Sequence, residues 1–130
     1  MIKGKRSEKH FSKILFIIWC IIVFVLSVIP GDESPFPNIT FIDKIAHFTE
    51  YLIFSLLYYL MRFYQQISYN RIIKELIFLS LLLPVLNEVI QIPIPGREFC
   101  LLDIVANFMG FLVMIIYLIV FNKKRTVVEK

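Results

Sequence analysis

The sequence predicts an all-α membrane protein, a bundle of four transmembrane helices with both termini cytoplasmic. Three observations predict it. The 130 residues are 58% hydrophobic with mean hydropathy +0.77, above the ~45–50% apolar content of soluble domains. The chain holds four apolar runs of the length that crosses a bilayer, roughly 17–25 residues. Its basic residues also alternate along the chain. Lys3, Lys5, Arg6, Lys9 and Lys13 precede the first run; Arg62, Arg71 and Lys74 lie between the second and third; Lys123, Lys124, Arg125 and Lys130 follow the fourth. Only Lys44 and Arg97 fall on the other side. Short loops rich in Lys and Arg stay cytoplasmic. Residues 32–42 and 93–101 are therefore expected outside.

The first span covers about residues 14–30, an uncharged run containing Trp19, Cys20 and Ser27. Its apolar core exceeds the usual ~7–15 residues of a signal peptide and no A-x-A-like site follows, so it reads as an uncleaved span. Pro30, Gly31, Pro35 and Pro37 stop the helix in a short external loop that carries Asp32 and Glu33. The second span, about 42–62, ends in Tyr58, Tyr59, Phe63 and Tyr64, aromatic residues suited to a membrane interface. The third, about 72–91, contains Pro84, where a kink is expected because proline supplies no i→i−4 hydrogen bond. Pro93, Pro95 and Gly96 then make a rigid turn, and the fourth span covers about 101–121. With basic tails at 1–13 and 122–130, the whole of 1–130 reads as one membrane domain. Cys20 and Cys100 are too far apart in depth to pair and read as small apolar fillers.

A net charge of +4 in so apolar a chain is topogenic and implies no nucleic-acid partner. The partner is the lipid bilayer itself, including anionic headgroups on the cytoplasmic side.

Candidates for chemistry concentrate on the external side. Spacings of three and four place side chains on one helical face, so Asp43, His47, Glu50 and Tyr51 form a stripe with Lys44 beside it. Glu50 then lies about 10 Å deeper than Asp43 at the helical rise, and an ionisable group at depth is a functional hypothesis by default. For Asp43 and Lys44 an interfacial anchor is an equal reading. The third span ends in Asn87, Glu88 and Gln91, and the fourth begins with Asp103, Asn107 and Gly110. Gln91 and Asn107 serve equally well as interhelical hydrogen-bonding groups. Arg97 either pairs with Asp103 or Glu98 or presents a fork to a carboxylate or phosphate. Three helix ends thus converge on one polar pocket, and His47, Glu88, Arg97 and Asp103 are expected within about one water-mediated hydrogen bond of each other. His47 with carboxylates suits a divalent metal, or general acid–base work on a lipid-linked phosphate. No metal or nucleotide signature fixes the choice.

These residues resemble a family. Asp43-Lys44-x-x-His47-x-x-x-Tyr51, Glu88-x-x-Gln91-x-x-x-Pro95-x-Arg97 and Asp103-x-x-x-Asn107-x-x-Gly110 are similar, in order and spacing over about residues 25–120, to the VanZ-like family of small bacterial membrane proteins. The resemblance implies a multi-pass protein of the bacterial cytoplasmic membrane, of the type that lowers sensitivity to the glycopeptide teicoplanin. It carries over to Lys44, His47, Tyr51, Glu88, Gln91, Arg97, Asp103 and Asn107. One departure is Met114, where the family often has a small residue four positions after Gly110.

The expected function is a cell-envelope role, acting on or binding an amphiphile such as a lipid-linked precursor or a lipoglycopeptide. In an enzyme, His47 would be base or metal ligand, and Glu88 and Asp103 acid, base or ligands. Lys44 and Arg97 would hold phosphate, with Gln91, Asn107 and Tyr51 completing the binding site. The alternative is a non-catalytic scaffold or partner-binding protein whose polar residues lock the helices. A transporter ranks third, on the ground that the inner halves of the spans lack polar residues.

Overall fold

A computed structural model describes residues 2–30 and 40–128, with side chains over 7–30 and 41–120. The segment with Asp32, Glu33, Pro35 and Pro37, expected as an external loop, lies outside the described residues, as do the side chains of the most distal basic residues. Among the described residues the chain is all-helical: α1 (Ile2–Val28), α2 (Thr40–Tyr64), α3 (Tyr69–Gln91) and α4 (Leu101–Val128).

Local chemistry sets the ends. α1 stops two residues before Pro30, whose ring disfavours helix in the residue before it. α2 carries Asp43 in its first turn and Arg62 in its last, each favoured there by the helix dipole. It closes with Gln66 at φ 63°, the Gln66 N–H donating to Phe63 O and the Ile67 N–H to Arg62 O. That pair of bonds is a Schellman cap, with glutamine in the left-handed position that glycine occupies more cheaply. α3 begins immediately after Ser68 and runs through Pro84 as one helix. The turn that follows uses Gly96 at φ 71°. α1 and α4 extend beyond their apolar runs into both basic tails, because Lys, Arg and Glu propagate a helix once it is nucleated.

α4 packs against both α2 and α3, and α1 leans mainly on α2. Gly110 is where α2 and α4 touch. A Cβ built there would sit 2.5 Å from Phe48 O and 2.8 Å from Leu52 N, so only glycine admits this approach. Below it lies a core of Tyr51, Phe54, Ile72, Leu76, Phe111 and Leu118. Met114, the departure from the family pattern, is buried in that core. Trp19 ties α1 to α2, its indole N–H donating to Glu50 O at 3.0 Å.

Beside this apolar core, polar side chains are buried and large apolar ones face outward. α3 buries Ser80, Asn87, Glu88 and Gln91 while exposing Phe78, Leu81, Val85 and Val89. α4 buries Asp103 and Asn107 while exposing Leu101, Leu102, Val105 and Ile116. In water this would leave an apolar surface far beyond what soluble monomers show. Among the described residues two stretches, Ser7–Val28 and Leu101–Val120, are long and apolar enough by themselves to cross a membrane. Neither α2 nor α3 is apolar enough by itself: His47, Glu50, Tyr51, Tyr58 and Tyr59 lower the mean hydropathy of α2, and Lys74, Glu75 and Glu88 interrupt α3.

Candidate functional site

The first turns of α2 and α4 meet just beyond the Gly110 contact, and their close approach builds the site. Asp43 and His47 stand one turn apart on α2, and Asp103 faces them from α4. Lys44 lies between the two acids, 2.8 Å from Asp43 Oδ2 and ion-paired with Asp103 Oδ1. His47 Nε2 points at the other oxygens, 3.9 Å from Asp43 Oδ1 and 3.7 Å from Asp103 Oδ2. Each carboxylate therefore turns one oxygen to the ammonium and one to the imidazole. The His47 and Asp103 side chains are 8% and 7% exposed, so this electrostatics is little screened by solvent. One ligand atom each from Asp43, His47 and Asp103 lies within 4.8 Å of the others, a set that could hold a metal ion.

The expected four-residue cluster forms only in part. His47 and Asp103 come together, but Glu88 and Arg97 make their direct contacts elsewhere. Glu88 is fully buried and its Oε2 accepts the Cys100 backbone N–H at 3.0 Å. That N–H belongs to the residue just before α4, where helical donors lack partners and the dipole favours negative charge. Arg97 pairs with neither Asp103 nor Glu98. Its Nε and Nη2 donate to Ile29 O and Leu26 O at 3.2 and 3.1 Å, at the C-terminus of α1. The last carbonyls of a helix have no internal partner, so the fork satisfies them. At least those two donors of Arg97 are engaged by protein and not presented to a phosphate.

The other candidates divide similarly. Tyr51 lies in the core against Phe54 and Phe111, its hydroxyl donating to Leu83 O at 3.4 Å. Asn107 is fully buried one turn along from Asp103, and among the described residues neither amide atom has a partner. Glu88 Oε1 and His47 Nδ1 are likewise buried and unpaired. Gln91 and Glu50 are buried. Cys20 and Cys100 are free thiols.

Two features were missed in the sequence. Ser27 contacts Asn87, Oγ to Oδ1 at 2.5 Å, and also Val23 O at 2.8 Å. A hydroxyl has one hydrogen, so Ser27 donates to Val23 O or to Asn87 Oδ1 but not to both at once, and Asn87 Nδ2 has no partner among the described residues. This pair borders a groove of about 250 Å³ between α1, α2 and α3, walled by Val23, Phe24, Phe54, Leu86 and Ile90. A serine inside an apolar run was the available signal. The second missed feature is Glu75, which accepts hydrogen bonds from Tyr58, Arg62 and Arg71 at the opposite end of α2. With buried Ser55 and Ser80, it shows that these halves of the helices are not free of polar groups. Reading Arg62 and Arg71 only as topology signals hid that pairing.

No known protein family, no curated protein and no solved structure matches this chain.

Proposed function

We propose that the chain is a four-span protein of the bacterial cytoplasmic membrane whose Lys44–Asp103–His47 pocket faces outward and binds or acts on an amphiphilic, lipid-linked envelope molecule, as the VanZ-like resemblance implies. The observation that carries this reading is a buried ionisable cluster with unpaired polar atoms at one end of a bundle with an apolar exterior. Such groups are costly in a membrane and mark functional sites. Amphiphile is the class it suits. The groove shares Tyr51 and Asn87 with the helix turns that carry Glu50 and Glu88, and Phe24, Leu86 and Ile90 on its wall are themselves exposed, so an acyl chain would enter from the side. Lys44 supplies positive charge for a phosphate, and His47 with Asp103 supplies proton-transfer groups. For α2 and α3 to span, their charged ends must lie at the interfaces or turn inward, as Glu88 does and as Glu75 does against Arg62.

One observation favours the scaffold alternative. Lys44 joins α2 to α4, and Glu88 and Arg97 cap helix ends, all of which lock the bundle without chemistry. His47→Ala, Glu88→Gln and Asp103→Asn separate the two readings. Teicoplanin susceptibility, membrane abundance and detergent melting temperature are measured together in each variant. Loss of the phenotype at normal abundance is expected; loss that tracks abundance rejects the site. Topology is tested on a Cys-free background: Ser34→Cys should label on intact cells and Thr126→Cys only after lysis. The reverse pattern overturns the orientation.

A further inference from the structure

We propose that Asp43 Oδ1, His47 Nε2 and Asp103 Oδ2 form a binding site for a zinc-class divalent cation, with Lys44 holding the outer oxygen of each carboxylate. The argument begins with His47. It is 6% exposed, and among the described residues its Nδ1 has no partner. Its Nε2 is aimed between two carboxylate oxygens at 3.7 and 3.9 Å, beyond hydrogen-bond range. In either neutral tautomer Nδ1 is buried without a partner among the described residues. With the proton on Nδ1, the Nε2 lone pair faces two anionic oxygens. With the proton on Nε2, the N–H reaches neither acceptor. A cation between the three atoms takes the Nε2 lone pair, draws the oxygens inward and fixes the proton on Nδ1.

The dimensions fit. Zinc bonds of about 2.0–2.1 Å in tetrahedral geometry place ligand atoms about 3.3 Å apart. The two separations from His47 Nε2, 3.7 and 3.9 Å, exceed this by about half an ångström, and all three atoms lie within 4.8 Å of one another. One nitrogen and two carboxylate oxygens leave a fourth position open, as in catalytic and not structural zinc sites. His47 and Asp43 share one face of α2 at i,i+4, and Asp103 is held opposite by the glycine contact, so the ligands sit on rigid elements.

Lys44 decides what the fourth ligand is. With His47 neutral, two carboxylates and one ammonium leave the cluster one net negative charge. A divalent ion turns this to one net positive charge and selects an anionic oxygen, such as that of a phosphoryl group. This last step deepens the proposed function and rests on it; binding of the ion does not.

Titration calorimetry with zinc chloride, on the full chain in detergent micelles, tests the site, with cobalt(II) absorption reporting the ligand geometry. One equivalent of zinc is expected. His47→Ala and Asp103→Asn should weaken it by more than the ~10–100-fold typical of losing an outer-shell partner. Lys44→Met should tighten binding, because it removes a competing positive charge. Asp43 is the most exposed ligand, its side chain 29% accessible, so Asp43→Asn serves if the other variants fail to fold. Absence of zinc binding in both the wild-type chain and Lys44→Met overturns the site, as does unchanged affinity in a folded Asp43→Asn or His47→Ala. Zinc binding without any teicoplanin phenotype would instead overturn the proposed function and leave the metal site standing.

Discussion

α2 carries a polar cluster at each end, and the two are built on opposite principles. At the Arg62 end, Glu75 accepts from Tyr58 at 3.0 Å, from Arg62 Nε at 2.9 Å and Nη2 at 2.5 Å, and from Arg71 at 3.1 Å. The guanidinium of Arg62 also lies over the Tyr58 ring at 6.0 Å. Each charge there has an opposite partner in good geometry. At the Lys44 end, His47 Nδ1, Glu88 Oε1 and both amide atoms of Asn107 are buried without partners among the described residues. An unpaired buried polar group typically costs about 1–3 kcal/mol. The same chain builds a fully paired lock at one end, so the unpaired groups at the other are not what locking helices requires. That contrast separates a paired lock at the Arg62 end from a cluster with unpaired buried atoms at the Lys44 end.

The largest test of the comparison is Gly110→Ala. Its methyl would meet the α2 backbone at 2.5 Å, and backbone cannot rotate away. We expect a loss of about 3 kcal/mol, the upper range for overpacking, with α2 and α4 parted enough to break Lys44–Asp103. Thermal unfolding in detergent reads the loss. An unchanged midpoint would mean that the site does not depend on this contact.

Glu75→Gln sharpens the comparison directly. It removes the charge that holds two arginines, and should cost about 2 kcal/mol, as for hydrogen bonds to charged groups. Its effect on any phenotype should follow protein abundance. Glu88→Gln should do the reverse: little change in melting, since an amide oxygen still accepts the Cys100 N–H, and loss of function. If the two variants behave alike, the distinction between lock and site collapses.

Arg97→Lys tests whether the arginine belongs to the packing. A lysine cannot reproduce the fork on Leu26 and Ile29, so about 1 kcal/mol should be lost. Faster amide exchange at the end of α1 is the specific readout, and unaltered exchange there would return Arg97 to the pocket. Ser27→Ala is the smallest, about 0.6 kcal/mol by analogy with interhelical hydrogen bonds in membranes. A double-mutant cycle with Asn87→Ala measures it; zero coupling would show that the pair only borders the groove.

Much of the architecture was legible one residue at a time. Four helices, the stops at Pro30 and at the Pro93–Gly96 turn, the i,i+4 stripe of Asp43 and His47, and the need for a small residue at Gly110 all follow from local pattern. Equal membrane-crossing character for the four helices did not follow, because α2 and α3 carry charges that only packing can turn inward.

Pairing was decided by the tertiary structure. Nothing in the spacing of Arg97 indicates that its partners are carbonyls of α1, since any nearby acid would satisfy the same guanidinium. Glu88 took the start of α4 in preference to His47, and Asp43, read from the chain as an anchor or a functional group with equal weight, joined His47 and Asp103. The cause is geometric. Helical periodicity is a property of neighbours in the chain and can be read along it. Which charge meets which across two helices depends on their crossing, their axial register and their distance, and here that distance is set by a single missing Cβ.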